Sequence, residues 1–164
     1  MGWNITLSIG GNTTARDVVR LFETAADMDL KVEQTGSPAD HDLEKHGEDI
    51  EAGRLHGFIR ETDGTLCFEE YDHSDDTLED LEMLCEELGL PFNREIHSDD
   101  EADGSISWSR PGIEEMGSCA IDHDGRPTLG VEVVRAAMEN GTLEALLTEN
   151  TPAPMPPLKV MDAR

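Results

Sequence analysis

Apolar positions recur with two periods along the chain, and the switches between them mark its elements. Residues 3–9, Trp-Asn-Ile-Thr-Leu-Ser-Ile, alternate apolar and polar and stop at Gly10-Gly11, which predicts a strand and a turn. The period then lengthens. Ala15, Val18, Val19, Phe22, Ala25 and Ala26 recur at three- and four-residue spacing behind the capping candidates Thr13 and Thr14, predicting a helix over 14–28. Residues 30–34 read as a short strand. Ser37-Pro38 then opens a weaker helical pattern in Leu43, His46 and Ile50 that runs to residue 52, with Gly47 lowering its stability.

Two strand-like runs, 54–61 and 65–71, flank Thr62-Asp63-Gly64, and Asp-Gly between such runs is a hairpin signal. Leu78, Leu81, Leu84, Cys85 and Leu88 line one face of a helix over 77–88, capped from Ser74-Asp75-Asp76-Thr77, ended by Gly89 and blocked by Pro91. Short strands follow at 92–97, 105–108, 118–121 and 127–130, with Asp124-Gly125 as a second hairpin turn. Residues 131–138 and 143–147 read as a closing helix interrupted at Asn140-Gly141, with Thr142 capping its second half. The expectation is an α+β fold, an antiparallel sheet of several short strands with three to four amphipathic helices, in one domain over 1–150. Residues 151–164, rich in proline, predict a flexible C-terminal tail.

Charge changes this ordinary picture. The 164 residues carry 37 acidic and 12 basic side chains, a net of −25, which opposes compaction and repels nucleic-acid phosphates and anionic lipid. The macromolecular partners such a surface favours are basic proteins, with no direct nucleic acid and no membrane. Residues 61–103 hold 17 acidic groups against Arg94 alone, a net of −16. Within them, Asp76, Glu79, Asp80, Glu82, Glu86 and Glu87 fall away from the apolar stripe of the 77–88 helix, many three or four residues apart. Glu69, Glu70, Asp72 and Asp75 precede that helix, and Asp99, Asp100, Glu101 and Asp103 follow the next strand, so one anionic face is geometrically feasible.

Catalytic and metal chemistry find little support in the spacing. Asp99, Glu101, Asp103 and Gly104 resemble the start of a calcium loop, but Arg110 stands where its bidentate acid belongs; Asp122-His123-Asp124-Gly125 has Val133 there and reads as a turn. Among six histidines none has a recognised ligand spacing, and Asp40, His41, Asp42 and His46 are the least poor metal set. Gly10-Gly11-Asn12-Thr13-Thr14 lacks the lysine of a phosphate loop. Cys67, Cys85 and Cys119 form neither a close pair nor a knuckle and read as reduced core thiols. No basic leader or bilayer-length apolar run occurs, which makes the cytoplasm the expected location.

The function expected from these residues is a non-catalytic acidic interaction protein without cofactor or metal, a nucleic-acid mimic of the anti-restriction or anti-CRISPR type that blocks a basic nucleic-acid-binding partner. Its contact residues are Glu69, Glu70, Asp72, Asp75, Asp76, Glu79, Asp80, Glu82, Glu86, Glu87, Asp99, Asp100 and Glu101. Two alternatives stay open: a small metal-binding protein or metal-dependent enzyme, and a halophile's accessory protein whose acidity is surface adaptation.

Overall fold

The computed structural model describes residues 3–73, 78–98 and 104–164. In chain order these form β1 (Trp3–Ile9), β2 (Gly11–Thr13), α1 (Ala15–Asp27), β3 (Lys31–Val32), α2 (Ala39–Glu51), β4 (Leu66–His73), α3 (Glu79–Leu88), β5 (Phe92–Ser98), β6 (Gly104–Ser109), β7 (Gly117–Ile121), β8 (Pro127–Thr128), α4 (Val131–Asn140), α5 (Leu143–Glu149) and β9 (Leu158–Val160). Seven strands make one antiparallel sheet in the order β3-β4-β1-β5-β6-β7-β8, and β2 pairs in parallel with β9. The fold is α+β.

Strand alternation decides which face each helix covers. Ile5, Leu7 and Ile9 of β1 stand opposite Ile96, Arg94 and Phe92 of β5, and Leu7 and Ile9 opposite Phe68 and Leu66 of β4, so these side chains share the first face. α1, α2 and α3 cover it, with α1 between the other two, and Val18, Leu21, Phe22, Leu81 and Cys85 complete a core in which Phe22 meets Phe58 and Phe68 edge-on. The apolar phase inverts at β6. Trp108 pairs with Asn93 and Ile106 with Glu95, so both face away from the three helices and build a second, smaller cluster with Cys119 and Ile121. α5 stands against β7 beside this cluster. Trp108 lies directly on Gly117, where a Cβ would sit 2.1 Å from the indole.

Two segments differ from the sequence expectation. Residues 54–61 form turns rather than a hairpin arm, joined to β4 only at the Ile59–Leu66 bridge, while β4 takes β1 and β3 as neighbours. The reason is local: Leu55 and Phe58, three apart, are both buried, and Gly53 and Gly57 hold φ of +75° and +95° that break an extended run. The closing helix breaks where the sequence places the interruption, into α4 and α5 at a left-handed Gly141. The expected tail is built into the domain. The Gly11 N–H donates to the Pro157 carbonyl and the Leu158 N–H to the Gly64 carbonyl, Arg110 donates to the carbonyls of Ala153 and Pro154, and β9 brings Leu158 and Val160 against the core. Prolines 152, 154, 156 and 157 need no ladder partner because they cross the strand ends instead of joining the sheet. No helix among the described residues is long and apolar enough to cross a membrane.

Candidate functional site

α3 separates its charges from its apolar residues by helical period. Leu81, Leu84 and Cys85 are buried on the core, while Glu79, Asp80, Met83, Glu86 and Glu87 are exposed. Positions 79, 83 and 86, like 80, 83 and 87, are successive neighbours on a helix surface, so four carboxylates surround one exposed methionine on a single stripe. Glu79 and Asp80 sit in the first turn, where the helix dipole favours them; Glu86 and Glu87 sit in the last turn, where it opposes them and where α3 has no basic residue of its own. Arg20 of α1 reaches Glu87 at 3.2 Å, an exposed pair of small energetic weight.

Glu82 does not belong to that stripe. It turns inward, accepts the Leu78 backbone N–H at 2.8 Å and pairs with Arg94 of β5, anchoring the helix start to the sheet. Strand alternation likewise divides Glu69 from Glu70. Glu70 stands opposite Ile5 on the helix-covered face, and Glu69 lies on the other face, where burial and then Glu33 push its carboxyl above the usual range. Of the other expected contacts, Asp75, Asp76, Asp99, Asp100 and Glu101 lie outside the described residues, as does the calcium-like start at 99–103. Asp72 contributes its backbone to β4.

The structure adds a second acidic helix that sequence reasoning passed over. Asp40 and Glu44, four apart, and Glu48 and Glu51, three apart, are exposed pairs on α2 on either side of a kink at His46. The signal was present, but Lys45, Arg54 and Arg60 made the net charge of this stretch ordinary. Across the helical layer, α1, α2 and α3 carry 3, 6 and 5 acidic side chains against 2, 1 and 0 basic ones.

Elsewhere the polar groups serve the fold. Arg60 bridges Asp63 and Ser8 on the second face, and Asp63, Thr65, Cys67 and Ser8 continue the hydrogen-bonded ring beneath it. Burial pushes the thiols of Cys67, Cys85 and Cys119 upward, and all three are free and buried. Of the least poor metal set, Asp42 is buried and accepts the Thr35 hydroxyl at 2.7 Å, and His46 packs edge-on against Phe58 while Asp40 and His41 face solvent. No group of three or more His, Cys, Asp or Glu among the described residues stands close enough to hold a metal ion. At the α1 start, the Ala15 N–H that could meet an anion donates to Asp162 at 2.7 Å. Comparison of the chain with family models, curated proteins and solved structures finds no match.

Proposed function

We propose that this chain is a non-catalytic interaction protein whose acidic helical layer occupies a basic groove on a nucleic-acid-processing protein in place of the nucleic acid. The observation that carries the reading is the α3 stripe of Glu79, Asp80, Glu86 and Glu87, which has no basic residue on its own helix. These four charges form two pairs, 79/80 and 86/87, about 10 Å apart along the helix axis, roughly three of the 3.4 Å phosphate spacings of a single nucleic-acid strand. A protein built only for stability gains nothing from acids in the last turn of a helix, so their retention there supports a role outside the fold. α2 extends the same sign of charge across the layer, and long-range attraction of a basic partner follows from the sum.

The test is capture from lysate at about 50 mM salt, eluted by a salt ramp, with the wild-type chain and with E79K/D80K/E86K/E87K. A basic nuclease, repressor or effector eluting between about 0.2 and 0.5 M from the wild type, and not captured by the variant, supports the reading. Equal capture by both chains contradicts it. Surface adaptation to high salt is the second reading, favoured by the spread of exposed acids onto α2 and by the presence of only 3 lysines, at positions 31, 45 and 159. It requires the chain to unfold in low salt.

A further inference from the structure

On the face of the sheet turned away from α1–α3 lies a second surface of opposite character. A cleft of about 880 Å³ opens between the Trp108 face of the sheet, the loop before β7, the end of α5 and residues 152–154. Ile113, Met116 and Leu147 line it and are 63%, 37% and 43% exposed, a cost that a solvated loop and helix end need not bear. Its charged lining residues are Glu115 and Glu149, with no basic side chain among them. Its wall is preformed. The Arg110 guanidinium donates to Ala153 and Pro154 carbonyls on one side and to those of Phe92 and Ser109 on the other, which fixes the proline segment against the strand ends.

We propose that this cleft docks a short amphipathic segment of another protein, one that seats leucine-like anchors over Trp108, Met116 and Leu147 and places lysine or arginine against Glu115 and Glu149. Charge selects this occupant. A second copy of the chain would bring a like-signed rim and another net charge of −25 against the first. A cationic segment finds an apolar floor for its anchors and carboxylates for its flanks, the combination from which helix-in-groove recognition is built. The inference does not depend on the acidic helical layer, which lies on the other face.

The experiment titrates the whole chain with a synthetic helical peptide of leucine and lysine, and with its leucine and glutamate counterpart, at about 0.3 M salt where long-range attraction is screened. The Met116 methyl and Trp108 indole NMR signals report occupancy. The cationic peptide is expected to shift both signals, the anionic one neither. M116D and L147D, both at exposed positions, are expected to weaken binding about tenfold or more with the unfolding curve retained. E115K/E149K should weaken it and reduce its salt dependence, whereas E79K/D80K/E86K/E87K should leave it unchanged. Binding that survives L147D, binding lost with the α3 variant instead, or self-association that L147D abolishes would each overturn the proposal.

Discussion

At single residues, Glu82 is the clearest case of a charge taken out of solvent with partners, although the Arg94 Nε beside it, like Thr13 Oγ1 and Asn93 Oδ1, is buried without a hydrogen-bond partner. The Glu82 carboxylate accepts from both the Leu78 N–H and Arg94, and both partners of the ion pair are largely buried. Removing one member of such a pair leaves the other charge uncompensated, so Glu82→Ala is expected to cost about 3 kcal/mol in urea unfolding, far more than Glu79→Ala on the exposed stripe. Asp63 gives the acid limb its sign. Burial works to raise its carboxyl, but hydrogen bonds from Arg60 and Thr65 outweigh it and hold the group below its ordinary 3.8. A carboxyl depressed by folding stabilises the protein above its unfolded value and loses that contribution as pH falls through the folded one. Asp63→Asn should therefore flatten the decline of stability below pH 4, measured by thermal unfolding at fixed salt. Glu69 runs the other way: its raised carboxyl destabilises the charged form, so Glu69→Gln should stabilise the protein at neutral pH and not at pH 3.

Elements were legible from the sequence where one period ruled, and misread where a tertiary partner decided. α1, α3 and the strands β5 to β7 follow their apolar patterns because each buries one face. The 54–61 run failed because Asp-Gly signals a turn without naming the strand that β4 will pair with, and β3 takes the edge beyond the Ile59–Leu66 bridge. The C-terminal segment was misread because proline content describes what a backbone cannot donate, and the contacts that hold it come from Arg110, Gly11 and Gly64, distant in sequence. Asp162 supplies the last of these by capping α1. Deleting residues 151–164 is thus expected to destabilise the domain by on the order of 3 kcal/mol, read by urea unfolding. On the candidate site, the α3 stripe was readable from spacing alone, while the inward turn of Glu82 and the division of Glu69 from Glu70 needed the packing. The same helix offers an element-scale test of why its acids persist. Glu86→Lys places a cation at the dipole's negative end and should stabilise the fold by a few tenths to about 1 kcal/mol while weakening partner capture. A variant that gains stability and loses binding separates function from architecture.

For the molecule as a whole, the two faces differ in what accompanies the acid. The helical layer presents exposed acids, and the opposite face holds an apolar cleft with an acidic rim. Self-repulsion among 37 acidic groups is the standing cost, and the salt response distinguishes why it is tolerated. An interaction protein with this core is expected to stay folded by far-ultraviolet circular dichroism at about 20 mM salt, gaining modestly as salt screens the acids; an adapted halophilic chain unfolds there. The measurement that meets the central claim most directly is competition: the captured partner, held on the immobilised chain, is challenged with duplex DNA and with RNA at constant ionic strength. Release in proportion to nucleic acid added, with no ternary complex, is what occupation of the partner's basic groove predicts; a partner that keeps its nucleic acid while bound to this chain would contradict it.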